Sequence, residues 1–331
     1  MIVIDADVLG RQRTGDESTI AGLLRELPGV APDLRFTAVT RRPDLVPRGI
    51  AAINLPNDSQ IMRMAWSLPR LLRRLKPELV HFLHALPLGY RGRAVVTIQD
   101  LSFERDPTLM SRSDRLLFRT VVPRAARRAD HVLAGSERTK RDIVELYGIP
   151  EAKITVTHYG ADPAFTPGGT PGSYLLFVGG VQVRKDPLAA LAAAQAVGLP
   201  LVVVGPEREP KVARALRAGG ADLRGYVSQD ELAGLYRGAQ ALLLPSRYEG
   251  FGLPVLEAMA CGTPVVVAGN EAMREVGGDA AVYADDGDFA AAVRRALNDR
   301  DRLSAAGIAR AGLFSWEETA RRTAAVYRSL L

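Results

Sequence analysis

Short continuous runs of Val, Ile, Leu and Ala recur along this chain, each followed by a stretch of helical periodicity, and this alternation constrains the fold more than any other feature. In the first half the runs fall at residues 2–8, 35–40, 51–55, 79–83, 94–98 and 131–134. A continuous apolar run suits a strand covered on both faces, and the intervening helices make the sheet parallel. Residues 162–172, rich in proline and glycine, break the pattern and read as a linker. It then restarts, with strands expected at 174–178, 201–204, 223–227, 241–244, 264–267 and 281–284, and helices at 187–197, 212–218, 231–237 and from 253. Ser228 with Glu231, and Ser315 with Glu318, have capping-box spacing and mark two helix starts. The expected fold is α/β, with two Rossmann-like doubly wound domains facing a cleft. They take residues 1–168 and 169–314, and a terminal helix in 315–331 packs back on the first. Ligands of such sheets bind beyond the carboxyl ends of the strands.

The charge is uneven. Of the net +6, all belongs to residues 1–165, with 25 Lys and Arg against 19 Asp and Glu. No basic strand interleaved with aromatics accompanies the arginines, so nucleic acid is not the expected partner. Anionic lipid or a phosphorylated substrate fits better. Residues 60–76 place Ile61, Met64, Ala65, Leu68, Leu72 and Leu75 on one helical face and leave Arg63, Arg70, Arg73 and Arg74 elsewhere. Such a basic helix can lie on a membrane, although Pro69 interrupts it; otherwise it is a solvated face, and the arginines of residues 111–128 are read the same way. No apolar run is long enough to span a bilayer and no charged leader precedes the first strand, so a cytoplasmic protein is expected, with peripheral contact at the inner face of the membrane as an option. One cysteine, Cys261, rules out an internal disulfide and reads as a small buried residue.

Two stretches carry chemistry. In the first, residues 246–257, Gly250 and Gly252 free the backbone between a strand and a helix, Pro254 suits the first helical position, and Glu249 and Glu257 bracket the crossing. Glu257 is expected in the first helical turn, beside the unpaired N–H groups of the helix start. That arrangement suits a polyhydroxylated, anionic ligand. In the second, residues 177–187, a strand, the turn Gly179-Gly180 and the pair Arg184-Lys185 precede a helix and make a cradle for a diphosphate.

With Gly225-Tyr226-Val227-Ser228, the segment 231–239, Pro245 to Glu257 and Ala258-Met259-Ala260-Cys261-Gly262-Thr263-Pro264, the chain resembles glycosyltransferase family 4. The likeness is strongest over 174–279 and extends to 129–160 and the chain ends. Members of that family are retaining enzymes of the GT-B fold that use nucleotide sugars, and Glu249 and Glu257 match the family's glutamate pair, with seven residues between them. The resemblance implies catalytic roles for Lys185, Arg184 and Glu249. Lys185 and Arg184 would neutralise the leaving nucleoside diphosphate, and Glu249 would reach the donor sugar near its reacting carbon. It implies donor-binding roles for Glu257 on the ribose diol, for the backbone of Phe251, Gly252 and Leu253 on sugar or phosphate, and for Tyr226 and Val227 at the base. Gly15 would let the loop after the first strand approach the diphosphate. Asp16 and Glu17 beside it would repel phosphate and are instead assigned toward the acceptor.

One position departs from the family. Where relatives often carry a histidine before an aspartate, this chain has Gln99 before Asp100. Glutamine keeps hydrogen bonding toward the donor but cannot titrate near neutrality. His81, His84, His131 and His158 are not spaced as a metal set, and His131 and His158 read as structural. No cofactor and no metal are expected, since two fixed cations can serve the diphosphate. The expected activity is retaining transfer of a hexose, of mannose or glucose type, from a GDP- or UDP-type sugar to a sugar or lipid-linked acceptor in glycan or glycolipid synthesis. Competing readings are a noncatalytic nucleotide-sugar-binding protein and a nucleotide-sugar epimerase of the same fold. A glycosidase also uses two carboxylates but needs no diphosphate cradle.

Overall fold

The computed structural model describes residues 1–331 except 12–14, 57–58, 106–111 and 171, and of 112–114 the backbone only. It divides into two compact units, Met1–Tyr159 with Trp316–Leu331, and Gly160–Ser315. Within the second unit, Phe165 packs edge-on against Tyr236, with ring centroids 5.6 Å apart.

In the first unit, strands β1 (Ile2–Asp5), β2 (Phe36–Thr40), β3 (Ala51–Asn54), β4 (Leu79–Leu83), β5 (Ala94–Ile98), β6 (His131–Ala134) and β7 (Ile154–Val156) form one sheet. All pair in parallel, in the order β3-β2-β1-β4-β5-β6-β7. The interior strands are buried on both faces, as continuous apolar runs require, and only the edge strand β3 is largely exposed. β1 is shorter than expected and β7 was not expected; three residues are too few to show a pattern. Helix Gly15–Val30 and the terminal helix Trp316–Leu330 enclose one apolar core with the sheet. Gly22 makes their contact close, since a Cβ there would stand 2.3 Å from the Trp316 ring. Buried His81 ties β4 to the same helix, with Nδ1 2.6 Å from the Tyr327 hydroxyl and Nε2 2.7 Å from Thr97 Oγ1. Burial pushes its imidazole down to about 3, so it is neutral.

On the opposite face, residues 60–75 do not form one regular helix. Residues Arg63–Ser67 make a π-turn in which the Leu68 N–H reaches back to the Arg63 carbonyl, and Pro69 lies in the first turn of the next helix, Leu68–Leu75. The wider turn shifts the register, which corrects the expected face. Ile61 is 77% exposed and Ala65 is exposed, whereas Arg63, read from sequence as lying off the core, is 0% exposed. Its guanidinium bonds Asp5 at the end of β1, with Nη1 3.1 Å from Oδ2, and Nε lies 3.5 Å from Asp7.

In the second unit, β8 (Leu175–Val178), β9 (Leu201–Val204), β10 (Asp222–Gly225), β11 (Ala241–Leu244), β12 (Val265–Val267) and β13 (Ala281–Tyr283) form a second parallel sheet in the order β10-β9-β8-β11-β12-β13. β10 stops at Gly225 rather than at 227, because Gly225 turns left-handed at φ +62°. Ser228 caps the next helix, accepting from the Glu231 N–H at 3.2 Å.

Candidate functional site

The order of the second sheet reverses between β8 and β11: β9 and β10 were added on one side, β12 and β13 on the other. Loops leaving two such strands diverge to opposite faces and open a crevice at their carboxyl ends. Both chemistry-bearing stretches leave from these two strands. Arg184 Nη1 donates to the Tyr248 carbonyl at 2.7 Å, and the Arg247 N–H donates to the Arg184 carbonyl at 3.0 Å. Lys185 Nζ donates to Glu249 Oε1, and Arg184 Nη1 lies 3.9 Å from the other carboxylate oxygen. Glu249 is 7% exposed. Burial alone would raise its carboxyl, but Lys185 and Arg184 outweigh burial and hold it below the ordinary range. Two cations against one carboxylate leave the group net positive, as an anion site needs.

The loop after β8 is fixed by its neighbours. The Gly179 N–H donates to the Val204 carbonyl and the Val181 N–H to the Pro206 carbonyl, each at 2.8 Å. Gly205 makes this approach feasible, since a Cβ there would stand 2.1 Å from the Gly179 carbonyl oxygen. Glu209 closes the loop by accepting the Val183 N–H at 3.1 Å. Neither Gly205 nor Glu209 was singled out from the sequence; the glycine ending a Val run was the only signal.

Helix Leu253–Ala260 starts after Gly252, whose φ of +108° favours glycine, and a Cβ built there would stand 2.5 Å from the end of the Met273 side chain. Pro254 is its second residue, so Glu257 lies one turn in and not in the first turn as expected. The dipole of the helix start has faded by that depth, which weakens a purely dipolar role for Glu257. Its Oε2 accepts the hydroxyl of fully buried Tyr236 at 2.8 Å. Tyr236 was missed because its position reads as core. Phe251 turns its ring inward against Phe314, with centroids 6.0 Å apart. Leu253, the first helical residue, is half-buried. Tyr226, 37% exposed, and half-buried Val227 follow the Gly225 turn. Cys261 is buried and its thiol is pushed up to about 12, which removes it as a nucleophile.

In the first unit, Gly15 opens helix Gly15–Val30, and Arg13-Thr14 before it lie outside the described residues. Gln99 Nε2 donates to Thr19 Oγ1 at 3.0 Å, and Thr19 Oγ1 donates to the Gly15 carbonyl at 2.8 Å, so Gln99 and Gly15 are joined through Thr19. Asp16 Oδ1 bonds His84 Nε2 at 3.0 Å. His131 bonds Thr155, and the His158 carbonyl accepts from Thr319 on the terminal helix. Among the described residues, no three His, Cys, Asp or Glu side chains are grouped to hold a metal ion.

The model of the family described as Glycosyltransferase Family 4 matches residues 15–165, and that described as Glycosyl transferases group 1 matches residues 172–299. An O-antigen chain mannosyltransferase B of Escherichia coli is 29% identical over 300 residues, covering 81% of this chain and 77% of that protein. D-inositol 3-phosphate glycosyltransferase 2 of Catenulispora acidiphila is 32% identical over 298 residues, covering 75% of this chain and 64% of that one, so the chain spans less than two thirds of it. The crystal structure of Anabaena HepE in complex with UDP-glucose superposes with a TM-score of 0.76 at 15% identity, covering 99% of both chains, a likeness of fold.

Proposed function

The chain belongs to glycosyltransferase family 4, and from that premise we propose that it moves a hexose, of mannose or glucose type, from a nucleoside diphosphate sugar to a hydroxyl acceptor with retention of configuration. The observation that carries this reading is the meeting of Arg184, Lys185 and Glu249 at the switch point of the second sheet. In the proposed reaction the bond from the sugar's anomeric carbon to the diphosphate breaks, and Lys185 and Arg184 stabilise the charge gathering on the leaving oxygen. The acceptor hydroxyl forms the new bond on the same face, and its proton passes to the departing phosphate. Glu249 orients Lys185, and its remaining lone pairs accept from sugar hydroxyls. Glu257 accepts from the ribose diol while Tyr236 fixes its rotamer. No metal is needed in this scheme, because the two side-chain cations supply the charge.

Glycan or glycolipid synthesis is the setting that fits, with acceptor binding assigned to the first unit. No described helix is long and apolar enough to cross a membrane. A lipid-linked acceptor calls for peripheral contact, and residues 61–74 suit it: Ile61, Met62 and Trp66 are 77%, 54% and 60% exposed, and Arg70, Arg73 and Arg74 beyond them are exposed. Apolar tips beside arginines suit an anionic lipid surface.

The test is a panel of nucleotide sugars scored for protection against thermal unfolding. One base and sugar should raise the midpoint well above free nucleotide of another base; a panel without any protection overturns the reading.

A further inference from the structure

The order of the first sheet also reverses, between β1 and β4, and its carboxyl edge gathers groups that the donor chemistry does not use. His84 follows β4 directly and has a left-handed backbone, φ 56°, which a non-glycine residue holds only where its surroundings fix it. The His84 N–H donates to the Thr97 carbonyl at 2.9 Å, and its ring bonds Asp16 at 3.0 Å. Asp100, two residues past β5, is held by the Ser102 N–H at 3.0 Å and hydroxyl at 2.8 Å. The Phe118 ring lies 6.5 Å from the imidazole, centroid to centroid. His84 and Asp16 keep 22% and 33% of their side-chain surface exposed, so both still reach solvent.

We propose that His84, Asp16 and the Phe118 ring form a sugar-binding seat on the first unit, and that the acceptor's reacting end is an uncharged sugar rather than a phosphorylated polyol. The proposal names the acceptor class for the transfer proposed above and rests on that reading for its purpose. Carboxylates accept from hydroxyls, an imidazole both donates and accepts, and an aromatic ring covers the apolar face of a pyranose. The charge balance opposes phosphate. Among the described residues, the charged groups acting on His84 are Asp16 and Asp100; burial would lower its pKa, but these two carboxylates raise it. Glu17, on the same helix as Asp16, adds a further negative charge and accepts the Gly10 N–H at 2.8 Å. A cradle for phosphate would show the opposite balance, as Arg184 and Lys185 do.

Saturation-transfer NMR on the full chain tests this without any donor, using methyl α-mannoside, methyl α-glucoside and inositol 3-phosphate as probes. A glycoside should give signal and inositol 3-phosphate should neither give signal nor compete. His84→Asn, which keeps a residue tolerant of the left-handed conformation, and Asp16→Ala should each weaken glycoside binding at least tenfold, with unfolding midpoints reported alongside. Absence of glycoside signal with the wild type, equal binding by both variants, or preference for inositol 3-phosphate overturns the proposal. Failure of the transfer reading would appear separately, as absence of protection by nucleotide sugars, and leaves the glycoside result standing.

Discussion

Lys185 and Glu249, 64 positions apart in sequence, form a largely buried ion pair that joins the loop after β8 to the loop after β11. A buried carboxylate next to one lysine would be neutralised. Here Arg184 stands 3.9 Å from the same carboxylate, and the surplus positive charge is what a diphosphate leaving group would meet.

Lys185→Ala should lower turnover about a hundredfold, the usual scale for losing one donor to a developing anion. Steady-state kinetics with the donor found in the panel decides it, and full activity in the variant removes the leaving-group role.

The pair also has a pH signature. The Glu249 carboxyl is held below its ordinary value of 4.5 in the folded chain. Its contribution to stability is therefore present above that value and is lost as pH falls through the lowered folded value. The difference in unfolding midpoint between wild type and Glu249→Gln should be largest at neutral pH and shrink in acid below about pH 4.5. A difference that stays constant from about pH 7 to about pH 3 contradicts the assignment.

Glu257→Ala should weaken nucleotide binding at least tenfold by calorimetry, since charge-assisted hydrogen bonds contribute about 1.5–3 kcal/mol each. Gln99→Ala, on the other unit and bonded to Thr19, should change it less. Equal affinities in wild type and Glu257→Ala would remove the ribose role.

Trp66→Ser should abolish flotation of the protein with vesicles containing phosphatidylglycerol, and vesicles of phosphatidylcholine alone should not float the wild type. Trp66 is 60% exposed, so the substitution removes little buried surface and the fold should persist. Flotation that ignores both the substitution and the lipid charge would refute membrane contact through this turn.

Gly205→Ala should destabilise the second unit by several kcal/mol, since the new Cβ meets the Gly179 carbonyl and the backbone at φ +137° is strained for alanine. A melting curve unchanged from the wild type would show that the ends of β8 and β9 can separate.

The parallel, doubly wound class of both sheets and the turns from strand into helix were legible because they depend on local signals. Apolar runs such as Ala241–Leu244, fully buried, announce a strand covered on both faces, and Gly250, Gly252 and Pro254 announce the turn into a helix. Arg63 shows the limit. Periodicity assumes 3.6 residues per turn, and one widened turn carries an arginine from outside to the core and an isoleucine from the core to solvent. The short strand Ile154–Val156 was illegible for another reason: three residues give no period to read.

Two doubly wound units, the switch-point loops and the residue types that suit a nucleotide sugar could all be read along the chain, since covered strands, glycine turns and capping residues act over a few positions. The partners could not. The Lys185–Glu249 pair, the Tyr236 hydroxyl on Glu257, Arg63 on Asp5 and His84 on Asp16 each join segments distant in sequence. Which side chains meet there depends on helix register, strand order and the angle at which each loop leaves its sheet, and those quantities are fixed by packing of the whole unit rather than by any local stretch of chain.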